Sequence, residues 1–391
     1  MKNLIILSLV AFLLFSCDTD DDLLMTHIEL QELYDSSDLA GFSVAIVDDK
    51  EYLYQHSFGY ADVKEDKEYT KYTTQSIGSI SKTIIALSVM KAVEQGKLDL
   101  DTDINTYLPF DIIHPHHPDK PITVRHLATH TSGITDSDIY YKSYVLDTPN
   151  QINLSLFPED FRPIVELLST NVKMDESIFL KNVLSTSGKW YSQDHFTQNA
   201  PGEKYKYSNI AAALAAFVVE NATGFSYEEY THKYIFEPLN MDATGWGAND
   251  ANMRDHATLY YTKDIEVPKY SLITKADGGL ITNTSDFSKY LIEMLRGYHG
   301  KGKLLSVASY KEMFTLQSKY SQIKESMTGI FWGVEGGEIG HTGSAHGIIT
   351  ICSFDPIKNR GYYFMTNTSE ELNLDIERSI KKIWNELTSK K

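Results

Sequence analysis

The chain has 391 residues, 42% hydrophobic and 23% charged, which excludes a disordered polymer and leaves room for a core large enough for two lobes. Lys and Arg number 36 against 53 Asp and Glu, a formal charge of −17. So acidic a chain repels phosphate backbones and anionic headgroups, which excludes nucleic acid as a general partner.

The first segment, "MKNLIILSLVAFLLFSC", carries one early lysine and an apolar run from Leu4 to Phe15 that is short for a membrane span. Its layout is that of an export signal. "LFSC" resembles a bacterial lipobox, which implies cleavage before Cys17 and lipidation of that cysteine. Residues 1–17 are therefore expected to be a lipoprotein signal peptide, with the mature chain anchored to a membrane by lipid alone and facing the periplasm or the cell surface. The acidic stretch that follows is expected to be a solvated tether, 18–26. The chain has two cysteines. With Cys17 lipidated, Cys352 has no partner for an internal disulfide and reads as a small buried hydrophobe in "GIITICSF".

"GFSVAIVDDKEYLYQHSFGYAD", 41–62, holds two apolar runs around Asp-Asp-Lys and predicts a β-hairpin. From Ser79 the period changes: Ile84, Ile85, Leu87, Ser88, Met90 and Val93 recur at helical spacing, and Gly96 ends the run. Further helices are predicted over 208–224, 226–239 and 285–297, the last with Ser285 as its N-cap and Gly297 as its stop. After 325 short apolar runs separated by turn residues predict an antiparallel meander. A terminal amphipathic helix near 373–388 carries Leu374, Ile376, Ile380, Ile383, Trp384 and Leu387 as its stripe. The simplest assembly is α+β: hairpin and meander in one antiparallel sheet flanked by helices, and the helical middle in a second lobe. The expected boundaries are an α/β lobe from about 27–75 and 265–390 and a helical lobe over about 76–264.

The stretch "SIGSISKTI" places Lys82 three residues after Ser79, on one face of a helix and within hydrogen-bond reach. A serine hydroxyl is a weak nucleophile until a base takes its proton. Lysine serves as that base if apolar surroundings, here Ile80, Ile84 and Ile85, lower its pKa from about 10.4 toward neutrality. The helix N-terminus also favours negative charge developing beside Ser79. The spacing alone is unspecific, since Ser-x-x-Lys recurs at Ser88, Ser321 and Ser379. Ser79 differs in following a glycine, starting a helix, and having company: Tyr207-Ser208-Asn209 at the start of another helix, and His341-Thr342-Gly343 between two predicted strands.

Together these segments resemble the serine β-lactamase and penicillin-binding family, in its branch of class C β-lactamases, D-alanyl-D-alanine carboxypeptidases and esterases. "GFSVAIV", "ITVRHLATHTSGI", "PLNMDATGW" and "ADGGLITNTSDFSKY" are similar to the same branch, so the resemblance runs in order from about 40 to about 385. It implies the β-lactamase/transpeptidase-like fold. It implies Ser79 as acylated nucleophile, Lys82 as its base, and Tyr207 as the proton relay to the leaving group and then to water. It implies Asn209 as a substrate and Lys82 ligand, the backbone N–H groups of Ser79 and Ser344 as an oxyanion hole, and His341, Thr342 and Gly343 as substrate contacts. No cofactor and no metal are implied, and the partner is a small-molecule or peptide substrate.

His341 departs from the lysine that β-lactamases of this branch carry. A histidine partly charged near pH 7 holds a substrate carboxylate less firmly as pH rises. The expected activity is therefore hydrolysis of an amide or ester, such as a D-amino-acid peptide, a peptidoglycan fragment or a small ester. The alternatives are a penicillin-binding sensor without turnover and a dedicated β-lactamase. His114, His116, His117, His126 and His130 crowd one stretch, but without a cysteine or carboxylate pair beside them they do not read as a metal site. Tyr140, Tyr141 and Tyr144 read as packing over the core, and 135–200 as much of the cleft rim.

Overall fold

A computed structural model describes residues 18–247, 250–317 and 328–389. Residues 1–17, expected as a signal peptide ending at Cys17, and Ser321 lie outside them.

The hairpin strands β1 (Gly41–Val47) and β2 (Tyr52–Asp62) are followed by a short β3 (Lys67–Glu68). The meander supplies β4 (Gly333–Glu335), β5 (Glu338–Ala345), β6 (Ile348–Asp355) and β7 (Arg360–Thr366). All pair antiparallel into one seven-stranded sheet in the order β4-β5-β6-β7-β1-β2-β3. Hairpin and meander thus meet at β1 and β7, in the register Val44↔Phe364. Every residue of β1 is buried because both faces of the sheet are covered. Phe42, Val44 and Ile46 face one core and Ala45 and Val47 the other, as a period of two requires.

The first core lies under two helices, α1 (Asp18–Asp35) and a terminal one, Asp375–Ser389, which pack against each other and the sheet. Residues 18–26, expected as a tether, are the first half of α1. Leu30 is fully buried and Leu23 partly so against the sheet, and this apolar contact gives the acidic start a helix to continue. In the terminal helix Ile376, Ile380, Ile383 and Leu387 form the stripe; Leu374 precedes the helix and is exposed.

The second core holds α2 (Lys82–Glu94) and α3 (Asn209–Thr223), the latter buried along Ile210–Val219. Against the face of the sheet that looks to this core lies α4 (Thr284–Tyr298). Its N-cap is Asn283, whose side chain accepts from the Asp286 amide at 2.8 Å, rather than Ser285. Gly297, expected as its stop, lies inside it against the ring of Tyr310, where a Cβ would come within 2.3 Å. The predicted helix at 226–239 changes pitch twice: α-helical over Tyr227–Thr231, a π-turn over His232–Phe236, then a 3₁₀ turn over Glu237–Leu239 containing Pro238, which has no N–H to give. Among the described residues no single helix is long and apolar enough to cross a membrane.

Candidate active site

Ser79 sits in a 3₁₀ turn, Gly78–Ser81, that leads into α2, rather than in the α-helix itself. In a 3₁₀ turn positions i and i+3 eclipse, which aligns Ser79 with Lys82 more directly than an α-helix would. The Ser81 hydroxyl tightens the turn by donating to Gly78 O at 2.6 Å. Gly78 has φ +55°, and a Cβ there would stand 2.9 Å from the Ser344 amide nitrogen. A Cβ on Gly343 would stand 2.2 Å from Ile77 O and 3.1 Å from the Ser79 amide nitrogen. The two glycines therefore let the turn cross β5 at backbone distance, with the N–H groups of Ser79 and Ser344 at the crossing. Thr350 on β6 pins it by donating from Oγ1 to Ile77 O at 2.7 Å.

Lys82 is fully buried, and its three donors are all engaged: Ser79 Oγ at 3.0 Å, Asn209 Oδ1 at 2.7 Å and Asp277 O at 2.5 Å. The Tyr207 hydroxyl donates to Ser79 Oγ at 2.8 Å, and the Lys82 amine lies 5.1 Å from the Tyr207 ring centre. One oxygen is thus held between an amine and a phenol. If the Ser79–Lys82 contact reverses, so that the hydroxyl donates to a neutral amine, the serine proton has a place to go and the phenol remains opposite to move a second.

Tyr207 and Asn209 owe their positions to residues without a motif. Asp136 accepts from Ser208 Oγ, Asn209 N and Asn209 Nδ2, each at 2.8 Å, and from Ile210 N at 3.1 Å. Its carboxylate caps the N-terminus of α3 and turns the Asn209 amide so that Oδ1 faces Lys82. The His130 ring lies 4.4 Å from that of Tyr207, centre to centre, and its Nδ1 accepts from Ser208 N at 3.3 Å. Burial, then the charge on Lys82, holds the His130 pKa far below the ordinary value, so the ring is a neutral wall behind the phenol. Its carbonyl accepts from Lys206 N at 2.7 Å and that of Thr131 from Gly202 N at 2.7 Å, which straps the Tyr207 loop in place. In the sequence His130 stands out only within a family-like stretch and a cluster of five histidines, and Asp136 only as part of the expected cleft rim, neither with a role.

Beside these groups opens a cavity of about 560 Å³, lined by His130, Tyr205, Tyr207, Phe331, His341 and Thr342 among others. His341 is partly open to it, yet enclosed enough elsewhere that desolvation, ahead of the Lys82 charge, holds its pKa down to about 4. This corrects the expectation of a half-charged histidine near pH 7: the ring is neutral there, its Nδ1 against Thr342 O at 2.6 Å. Thr342 and Ser344 are exposed on β5 while Gly343 between them is buried. Cys352 lies across from His341 on β6, buried and in no disulfide among the described residues, its thiol pushed up to about 12 by burial.

The other histidines do not converge on the site. His114 is buried against Phe196, His116 and His117 contact Gln198, and the His126 Nδ1 accepts from Thr123 N at its own helix start. Among the described residues no group of three or more His, Cys, Asp or Glu is placed to hold a metal.

A sequence profile of the β-lactamase family matches residues 29–382. Protein flp of Staphylococcus aureus is 23% identical over 340 residues, which cover 85% of this chain and 60% of flp, so the chain spans about 60% of that relative's length. The octameric penicillin-binding protein homologue of Pyrococcus abyssi superposes with a TM-score of 0.70 at 25% identity, over 95% of this chain and 78% of that one. A class C β-lactamase superposes with a TM-score of 0.67 at 20% identity, over 96% and 99%, a likeness of fold. The profile match over nearly the whole described chain, on a β-lactamase/transpeptidase-like fold, makes this protein a member of the β-lactamase family.

Proposed function

We propose that this protein is an exported hydrolase that cleaves an amide or ester through an acyl-enzyme on Ser79. The observation that carries the reading is the placement of Ser79 Oγ between Lys82 Nζ at 3.0 Å and the Tyr207 hydroxyl at 2.8 Å. Lys82 takes the serine proton as Oγ bonds to the substrate carbonyl carbon. The tetrahedral oxygen lies against the N–H groups of Ser79 and Ser344, donors worth about 10²–10³ in rate when one is lost. Tyr207 passes a proton to the leaving amine or alcohol as the acyl–leaving-group bond breaks. Water then enters where the leaving group stood and gives a proton to Tyr207 as its oxygen bonds to the acyl carbon; the bond to Ser79 Oγ breaks, Lys82 returns the proton to Oγ, and the acid leaves. Asn209 holds Lys82 and a substrate amide, while His341, Thr342 and Gly343 line the strand along which substrate lies.

A neutral His341 supports substrates that need no carboxylate anchor: a small ester, or a D-amino-acid peptide or peptidoglycan fragment cut away from its free carboxyl end. The test is covalent labelling. A fluorophosphonate or fluorescent penicillin probe labels the wild type and not Ser79→Ala, and intact-protein mass spectrometry shows the adduct clearing with time. An adduct that never clears would make the protein a binder without turnover. Fast nitrocefin hydrolysis would make it a dedicated β-lactamase. No labelling and no turnover on any ester or D-peptide would end the reading.

Export and anchoring are part of the proposal and rest on the "LFSC" run at the N-terminus. Cys17→Ala should release the protein from the membrane fraction and abolish incorporation of a fatty-acid analogue. Retention of both would overturn the anchor.

A further inference from the structure

Asp277 contributes to the site through its backbone, since its carbonyl accepts from Lys82. Its side chain has another set of contacts. The carboxyl is fully buried. The Tyr140 hydroxyl donates to Oδ2 at 2.5 Å, while Oδ1 has no hydrogen-bond partner among the described residues. The neighbouring Thr274 hydroxyl is equally without a partner; it lies near enough to favour the carboxylate but makes no bond of ordinary geometry. A buried carboxyl half-satisfied by one phenol is costly to keep and would be replaceable by an apolar residue if only packing were needed.

We propose that Asp277, clamped by Tyr140, is a positioning residue for Lys82: it fixes the carbonyl on which the amine is anchored and sets, through its charge, how readily that amine sheds its proton. The proposal rests on the reading of Lys82 as the base for Ser79. Burial pushes the Asp277 pKa up to about 7, with the Lys82 charge and the Tyr140 bond opposing and Asp136 adding to the rise. The titratable and charged groups that act on the carboxyl from the surrounding elements are Lys82 on α2, Asp136, Tyr140 in the 3₁₀ turn Asp138–Ser143, Tyr144 on the short strand that follows it, and Glu176 at the start of the helix Glu176–Leu184. An ionised Asp277 stabilises the ammonium form of Lys82 and so opposes its action as a base. A protonated Asp277 relieves that hold. Tyr140, by favouring the carboxylate, works through Asp277 on Lys82.

Two measurements on the full chain test this. The first is the rate of fluorophosphonate labelling at Ser79 against pH. Asp277→Asn keeps an acceptor for Tyr140 and removes the charge, and should move the acidic limb to lower pH by at least about one unit, the coupling of one charge within about 12 Å at an effective dielectric near 20. Tyr140→Phe should move it the same way by less, and the double variant no further than Asp277→Asn. A purely structural Asp277 would lower the plateau rate or the melting temperature and leave the limb where it was, which overturns the proposal. The second needs no activity: ¹³C-carboxyl NMR follows the resonance lost in Asp277→Asn, and Lys82→Met should raise its titration point, because coupling is reciprocal. An unmoved titration overturns the proposal. A wild type that never labels overturns the Ser79 reading instead, and the NMR result still decides whether Asp277 and Lys82 are coupled.

Discussion

Ser79 Oγ and the Tyr207 hydroxyl, 128 residues apart in sequence, are 2.8 Å apart in the fold. Both also neighbour Lys82, so neither can be removed without leaving the other two groups with one partner fewer. Tyr207→Phe should lower kcat/KM by about 10²–10⁴ and Lys82→Met by at least as much, the range for a lost general acid or base. The double variant should cost little more than the worse single one, because the groups act as a unit. Steady-state kinetics on one ester substrate reads this directly, and full additivity would separate the two roles.

Asp136 makes four hydrogen bonds to Ser208, Asn209 and Ile210. Asp136→Ala should cost about 1–2 kcal/mol as a lost cap, and should also reduce kcat because the Asn209 amide loses the contact that orients it. In an Asn209→Ala background the kinetic loss should shrink while the stability loss remains. Thermal melts paired with kinetics separate the two effects.

Gly343→Ala puts a methyl 2.2 Å from Ile77 O, a collision with backbone. The 3₁₀ turn and β5 must part, which misplaces the Ser79 and Ser344 amides. Labelling at Ser79 should slow by about a hundredfold or more, in keeping with a displaced oxyanion donor, while circular dichroism stays that of the folded chain. Wild-type labelling by Gly343→Ala would show that these amides are not used.

With its pKa near 4, His341 is neutral through the physiological range. Inhibitors that differ only in bearing a carboxylate or its amide should therefore bind about equally at pH 7, and the carboxylate should gain as pH falls toward 4. His341→Lys should restore the preference at pH 7. A strong carboxylate preference in the wild type at pH 7 would contradict a neutral ring.

His114, His130 and His341 all stay neutral in the fold at pH values where the unfolded chain takes up protons, His114 with a pKa near 4 against 6.5 unperturbed. The unfolded state therefore binds more protons below about pH 6.5, so stability rises with pH through that window and their contribution is full above it. His114 is buried with neither ring nitrogen hydrogen-bonded among the described residues. His114→Phe should raise the melting temperature, and more so at pH 5 than at pH 7.5; equal gains at both would show that the ring does not titrate with unfolding.

Local chemistry made much of this protein readable from its residues alone. The i, i+3 spacing of Ser79 and Lys82, the helix start at Tyr207-Ser208-Asn209 and the turn-and-strand composition around His341 are short-range patterns, and each dictates its own geometry wherever it folds. The apolar runs of β1 and β7 read as strands in the same way, and their pairing is expected as the simplest assembly. Long-range packing decided the rest. Asp136 and His130 act on Tyr207 and Asn209 only because distant segments meet, and no spacing announces such a meeting. Residues 18–26 are helical because Leu23 and Leu30 find a sheet to lie on. The neutral state of His341 and the buried, half-satisfied carboxyl of Asp277 come from desolvation, which depends on what surrounds a group in three dimensions, and sequence order does not carry that information.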